Sequence, residues 1–299
     1  MVSTLNLILT RKEPDMDLSI IILNYNGKTW LERLLPSLQT YWLKHTRFET
    51  EVVVVDNAST DDSVAYVENQ SGVRLICSDK NGGFAYGNNL ALLNNPARYV
   101  MLLNSDTEFL PHGSNLDKLI DFMDAEPNVG IITPSLRLDS GLTDPACHRG
   151  EPTPWAAFTY FSGLERMFPR SKKFGQYHQT YQSMQTVHDI DACTGAAMLV
   201  RNEVLPAVGL LDERFFMYAE DIDWCKRFRE ADYRVVYHPE VTLIHHKYQS
   251  GLENRDEKIR KDTRKWFYDT MLQYYDKHYK TQYPAFYRWT LKCMLAMKR

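Results

Sequence analysis

"LSIIILNYN", Leu18 to Asn26, decides the fold. A continuous, mostly β-branched run closed by turn residues reads as a strand buried on both faces, not as the alternating strand of a half-exposed sheet. The next stretch, "KTWLERLLPSLQTY" (Lys28 to Tyr41), changes to helical spacing, with Trp30, Leu31, Leu34, Leu35 and Leu38 on one side. Pro36 is expected to shorten or kink that helix. The alternation repeats. "EVVVVDNAST" is a second buried strand ending at Asp56, and "DDSVAYVENQ" a helix with acids in its first turn, where the helix dipole favours them. "VRLICSD" is a third strand, "NGGFAYGNNLALLN" a Gly-rich turn entering a helix, and "RYVMLLNSDTEF" a fourth strand. Strands alternating with helices predict right-handed βαβ units: an α/β fold with a mainly parallel central sheet and flanking helices.

In such sheets ligands sit at the carboxyl ends of the strands. The polar clusters fall there: Asn24-Tyr25-Asn26, Asp56-Asn57, Asn81-Gly82-Gly83 and Asn104-Ser105-Asp106. Beyond Gly130 the pattern loosens. "VGIITPSLRL" reads as another strand, and residues 141–188 are irregular, aromatic and Pro-rich, with the basic run "RMFPRSKKFG". "CTGAAMLVR" ends strand-like, an acid-rich helix runs to about Glu230, and "YRVVYHPEVTLIHHK" predicts two short strands around Pro239. The last forty or so residues read as helices.

Composition narrows the function classes. The chain has 299 residues, 44% hydrophobic and 24% charged, which is ordinary globular composition. A net charge of -3 calls for no nucleic acid partner. Five cysteines without a C-x-x-C pair suit reduced thiols of the cytoplasm rather than a disulfide framework or a zinc site. The apolar runs are too short to span a bilayer, and the N-terminus is no convincing signal peptide. Residues 1–16 read as an extension ahead of the patterned sequence.

Several residue groups carry chemistry, each with an ordinary reading beside the functional one. Asp106 after Asn104 and Ser105 suits a hard divalent cation on a diphosphate, or is simply a strand-to-loop turn. Asp56 can accept from a ribose or base edge, or lead into a helix cap. Gly82, Gly83 and Gly87 allow close backbone approach to a nucleotide, or merely start a helix. No dinucleotide fingerprint or P-loop is present, which disfavours a dehydrogenase or a nucleotidyltransferase. His245 or His246 can complete a metal site with Asp106 and phosphate oxygens, or be structural. In "FFMYAEDIDWCKRF" (Phe215 to Phe228), Glu220 and Asp221 suit the first turn of a helix, and Asp223 can pair with Arg227 four residues on. One acid is left over beside an aromatic wall, placed to act as a general base.

Seven segments occur in an order that resembles the family 2 glycosyltransferases of the GT-A fold: "LSIIILNYNG", "VVVVDNASTDDS", "NGGFAYGNN", "MLLNSDTEF", "CTGAAMLVR", "VGLLDERFFMYAEDIDWCKRFREADY" and "HPEVTLIHH". The likeness runs from about Leu18 to Ser250 and is nearest to rhamnosyltransferase-like members of bacterial surface-polysaccharide pathways. It implies a GT-A domain over 17–250, with a nucleotide-binding half at about 17–110, an acceptor half at about 111–250, and a helical segment at 251–299. It further implies an inverting hexosyltransferase using Mn²⁺ or Mg²⁺. Donor nucleotide contacts fall on Asn24, Asp56, Asn81, Gly83 and Asn104; Asn104 stands where many members have Asp. The metal falls to Asp106 and His245, catalysis to Asp221 with Glu220, and support to Asp223 and Arg227. The implied donor is dTDP-rhamnose, with a UDP-hexose as the alternative; a non-catalytic glycan-binding module is the reading from another class. The implied acceptor is a lipid-linked saccharide on the cytoplasmic face of the membrane. The tail "TQYPAFYRWTLKCMLAMKR" and the segment "LERMFPRSKKFG" join basic to aromatic and Met residues, as an interfacial contact would. Packing on the catalytic domain and a dimer contact are the other readings of that tail.

Overall fold

The computed structural model describes residues 16–247 and 257–296. Its strands are β1 (Met16–Asn24), β2 (Thr50–Asp56), β3 (Val73–Cys77), β4 (Ala97–Asn104), β5 (Thr107–Phe109), β6 (Val129–Arg137), β7 (His188–Ile190), β8 (Ala197–Arg201) and β9 (Arg234–His245). The helices are α1 (Lys28–Leu38), α2 (Ser63–Glu68), α3 (Gly83–Leu92), α4 (Asp117–Ala125), α5 (Pro154–Phe161), α6 (Leu164–Met167), α7 (Leu205–Val208), α8 (Glu220–Glu230), α9 (Glu257–His278) and α10 (Ala285–Ala296).

One sheet runs through the molecule in the order β3-β2-β1-β4-β8-β6-β9-β5, with β7 on β9. β1 lies parallel to both β2 and β4, so its residues face core on both sides. Leu18, Ile20, Ile21 and Ile22 are fully buried, as are Val53, Val54 and Val55 of β2. Each such side chain contributes roughly 1.5–3 kcal/mol of burial. The first four strands are parallel, as their alternation with helices predicts. The other half is mixed: β8 is antiparallel to β4 and β6, while β6 and β9 are parallel.

Three local differences from the sequence reading follow from backbone geometry. "RYVMLLNSDTEF" is two strands, because the chain turns at Ser105 and Asp106 and sends β5 to pair with β9. Pro36 does not end α1. The helix continues through it and widens into a π turn over Gln39–Leu43. "YRVVYHPEVTLIH" forms one strand rather than two. Its register against β6 slips between Pro134 and Ser135, so a bulge absorbs Pro239.

Residues 1–15 of the expected extension lie outside the described residues; Met16 already belongs to β1. The expected domain end at Ser250 also lies outside them. The C-terminal segment is helical as read, and it packs on the sheet domain rather than projecting from it. Tyr274, Tyr275 and Tyr279 are buried against the main core. Among the described residues no helix is long and apolar enough to cross a membrane.

Candidate active site

The ends of β1, β2 and β4, the start of α3, and the N-terminus of α8 open onto one cleft of about 1480 Å³. Its polar floor is built by side chains that hold backbone. Asn57 Nδ2 donates to Asn81 Oδ1 at 3.0 Å and to the Gly83 carbonyl at 3.1 Å, while Asn57 Oδ1 accepts from the Gly82 N–H at 3.2 Å. Asn81 Oδ1 also takes the Gly83 N–H at 3.1 Å. Gly83 has φ +88°, and a Cβ there would lie 2.1 Å from the Phe216 carbonyl oxygen. That carbonyl accepts from the Phe84 N–H at 2.8 Å. The glycine thus lets the Gly-rich turn touch the loop before α8.

Asn81, Gly83 and Asn104, all expected to meet nucleotide, line the cleft. Asn24 and Asp56 lie beneath it. Asp56 Oδ2 accepts from Asn24 Nδ2 at 3.0 Å, and Asp56 Oδ1 from the Ser59 N–H at 2.8 Å. Each Asp56 oxygen thus carries one local hydrogen bond. Asn57, the next residue, faces the cleft instead.

At the far rim β5 and β9 pair Thr107 with His245. His245 Nε2 lies 3.4 Å from Asp106 Oδ1, and Nδ1 lies 3.2 Å from Asp144 Oδ2. Lys247 Nζ holds Asp144 at 2.9 Å. Burial alone would lower the His245 pKa; the carboxylates of Asp106 and Asp144 outweigh it and raise it to about 9. Burial would raise Asp144, but His245 and Lys247 hold it well below the usual carboxylate range. His246 points elsewhere, as strand alternation requires. Its Nδ1 meets Asp139 at 2.6 Å and its Nε2 meets Glu108 at 2.9 Å, with the ring stacked on Trp30. His245 is thus the histidine that shares the cleft with Asp106.

The residues at this rim fit a divalent cation. A carboxylate behind Nδ1 is the usual orienting partner of a metal-ligating histidine, and it leaves Nε2 facing Asp106. Among the described residues no group of three or more His, Cys, Asp or Glu could hold a metal alone. Two protein ligands are what a cation carried on a diphosphate needs.

α8 starts abruptly. Tyr218 and Ala219 have φ of 72° and 69°, an uncommon region for non-glycine residues and one that stores strain. The turn delivers Glu220 and Asp221 to the cleft. Asp221 Oδ2 accepts from Arg149 Nη2 at 2.7 Å and from the Gly195 N–H at 3.3 Å; Oδ1 accepts from the Ile222 N–H at 2.8 Å. Glu220 is 5% exposed, and its Oε2 has no partner. Burial first, and then the charge of Asp221, push its pKa well above the ordinary value.

Asp223 faces away from the cleft. It is wholly buried and receives Arg227 Nε at 2.9 Å, Lys277 Nζ at 2.5 Å and His278 Nε2 at 2.7 Å. The pairing with Arg227 is as expected; the two partners on α9 are not. A second cluster parallels it: Glu151 receives Lys226 and Arg229, each at 2.7 Å, and the Tyr279 hydroxyl. The third acid of the motif therefore fastens the C-terminal helix to α8.

Sequence reasoning missed Arg149, Asp144 and Lys247. The first two lie in the irregular stretch, where no periodicity marks a functional position, and Lys247 gave no signal beyond following two histidines.

The sequence profile described as "Glycosyl transferase family 2" matches residues 19–202. An N-acetylglucosaminyl-diphospho-decaprenol L-rhamnosyltransferase of Mycobacterium tuberculosis is 27% identical over 94% of this chain and 91% of its own length. Among solved structures, GalNAc-T7 with UDP, GalNAc and Mn²⁺ aligns with a TM-score of 0.57 at 13% identity, over 77% of this chain and 44% of that one. The mannosyltransferase PcManGT from Pyrobaculum calidifontis, with GDP-Man and Mn²⁺, aligns with a TM-score of 0.55 at 18% identity, over 89% and 65%. The chain thus spans less than half of the first of these structures, and likeness at such identity speaks for the fold. A GT-A-like sheet, a polar rim at its strand ends and the profile match across most of that sheet lead to one assignment: the chain is a glycosyltransferase and belongs to glycosyl transferase family 2.

Proposed function

We propose that this protein is an inverting, metal-dependent hexosyltransferase that moves a sugar from a nucleoside diphosphate to a lipid-linked saccharide. One observation carries the reading: the Asp106–His245 pair and the Glu220–Asp221 pair face the same cleft from opposite elements. In this reading residues 17–110 supply the donor half, residues 111–250 the acceptor half, and the C-terminal helices a wall of the second. Asp106 and His245 Nε2 would hold Mn²⁺ or Mg²⁺, which supplies neutralisation of charge on the departing diphosphate. Asn57, Asn81 and Gly83 present backbone and amide groups to the nucleotide.

The acceptor hydroxyl oxygen attacks the anomeric carbon as the bond to the diphosphate oxygen breaks, and its proton passes to Asp221. One displacement inverts the centre. Arg149 and the Gly195 N–H fix the Asp221 carboxylate in position. Glu220 lies beside it, with burial and the charge of Asp221 pushing its pKa well above the ordinary value; two carboxyls with divergent environments take divergent roles. Similarity to the mycobacterial rhamnosyltransferase favours dTDP-rhamnose as donor and a prenyl-diphosphate-linked sugar as acceptor. A UDP-hexose is the alternative donor.

The protein would meet its acceptor at the inner face of the cytoplasmic membrane. α10 packs through Leu291 and Leu295 and exposes Phe286 and Trp289, which supports this placement. Met297, Lys298 and Arg299 of the expected basic tail lie outside the described residues. A panel of nucleotide sugars, each with Mn²⁺ or EDTA, tests the reading by thermal shift. dTDP-rhamnose with Mn²⁺ should raise Tm most, and EDTA should remove the gain. A panel with no metal-dependent gain overturns the proposal.

A further inference from the structure

α5, α6 and the turns after them build a small aromatic lobe outside the main hydrophobic core. The Trp155 ring packs on Phe158 at 5.7 Å and on Phe174 at 6.1 Å, and Phe174 meets Phe168 at 5.3 Å. Trp155 Nε1 closes the lobe by donating to the Lys173 carbonyl at 2.8 Å. The lobe is only partly covered. Trp155 is 39% exposed, Phe158 and Phe168 are 47% exposed, and Met167 at the end of α6 is 69% exposed. Large apolar side chains gathered in one exposed segment mark a contact surface. Cations share that segment. Arg166, Arg170, Lys172 and Lys173 are all exposed, and the Lys173 ammonium lies 5.8 Å from both the Trp155 and the Phe174 rings. Between positions 152 and 175 the only acid is Glu165, and it is buried against His178 Nδ1 at 2.5 Å. A chain with a net charge of -3 thus concentrates positive charge where it exposes these rings.

We infer that residues 154–174 are the surface that docks on a bilayer of anionic lipid, with Met167 and Phe168 entering the interface and the four cations meeting the headgroups. The inference rests on the membrane placement proposed above and names the surface that makes it. Three observations favour a bilayer over other occupants. Apolar side chains and cations alternate along one short segment, which is the composition of an interfacial contact. A second copy docking two-fold through the same face would set these cations against their own counterparts. α10, which exposes Phe286 and Trp289, has already paired its Arg288 with Asp276 at 2.6 Å. The docking has a use as well: Trp155 and Phe158 also line the cleft, so a bilayer at this lobe lies beside the site.

The test is flotation of the full chain with vesicles of phosphatidylcholine, with or without phosphatidylglycerol. At low salt the wild type should bind the anionic vesicles about tenfold or more tightly than the neutral ones, and high salt should remove most of that preference. Arg170→Glu with Lys172→Glu should abolish the preference. Met167→Ser with Phe168→Ser should weaken binding to anionic vesicles about tenfold. All four side chains are exposed, so the far-UV spectrum and Tm should stay those of the wild type. Equal binding of the two kinds of vesicle overturns the inference, as does wild-type flotation of both double variants. Loss of flotation in Phe286→Ser with Trp289→Ser, while the lobe variants float normally, overturns it too and leaves the membrane placement to α10. A dimer that dissociates in Met167→Ser with Phe168→Ser, without flotation of the wild type, assigns the surface to a second copy instead. A wild type that never floats sinks this inference and the membrane placement together, and the nucleotide-sugar thermal shift would still decide the transferase reading.

Discussion

The donor rim and the acceptor wall face one another across a single cleft, yet they are held by different forces. The donor rim is a neutral clasp: Asn57, Asn81 and the glycines exchange hydrogen bonds with one another and with backbone. The acids on the acceptor side are held by ion pairs. Asp221 leans on Arg149, Asp223 on Lys277 and His278, and Glu151 on Lys226 and Arg229. A neutral hydrogen bond lost costs about 1 kcal/mol net, whereas one partner removed from a buried ion pair costs about 3–5 kcal/mol. The donor side should therefore tolerate single changes and the acceptor side should not.

The largest expected effect is at Asp223. Asp223→Ala removes the buried acid shared by Lys277, His278 and Arg227, with Lys277 keeping Asp212 and Arg227 keeping the Val208 and Leu210 carbonyls, and should destabilise the fold by about 3 kcal/mol in urea titrations. α9 should become sensitive to protease in the same variant. A loss no greater than that of Asn57→Ala would erase the contrast between the two walls. Next comes catalysis. Asp221→Asn should cut turnover by about 10²-fold or more and leave donor affinity nearly intact. If Glu220→Gln is the crippling change and Asp221→Asn is mild, Glu220 is the base and the roles reverse. Smaller again is Asp106→Ala. It should weaken nucleoside diphosphate binding about tenfold and make it indifferent to EDTA in calorimetry. Asn57→Ala should cost about 1 kcal/mol of stability, a few-fold in nucleotide affinity, and nothing in metal dependence.

The smallest effects are in pH, and they have opposite signs on one wall. Burial would raise Glu151, but Arg229, Lys226 and Tyr279 hold it at about 2, below its ordinary 4.5. Its contribution is present above pH 4.5 and is lost as pH falls towards 2. Glu220 runs the other way. Its raised pKa means the folded state binds the extra proton, so its contribution is lost as pH rises. Glu220→Gln should therefore raise stability at neutral pH, and the gain should vanish in acid. A stability profile for this variant parallel to wild type would show that Glu220 is ionised in the folded protein.

The two walls also differ in how far the sequence exposes them. The first four strands are legible because each is a continuous apolar run with turn residues at its end, and a parallel sheet places those ends together. Asn81, Gly83, Asn104 and Asp106 follow from that rule alone. The second half obeys no such rule. Arg149 reaches Asp221 across 72 positions, and Asp144 reaches His245 across 101. Neither has a local pattern, because an ion pair between distant segments leaves no period in the chain. Asp223 misleads for a related reason: its spacing to Arg227 is visible, whereas Lys277 and His278 lie more than fifty positions on. Asp56 shows the limit of a rule that works. Its strand end is placed correctly, but Asn24 and Ser59 each donate to it locally, a pairing that leaves no signal in the sequence.

The fastening of α9 to α8 bears on how this enzyme can be recombined. A chimera joined after β9 would transplant Asp223 without Lys277 and His278, leaving it Arg227 alone, and Glu151 without the Tyr279 hydroxyl. The transferable unit is the set formed by Glu151, residues 223–229 and residues 277–279. Acceptor preference grafted from a relative must carry all three pieces together. Exchange at the donor rim asks only that Asn57 meet a glycine turn of the same shape.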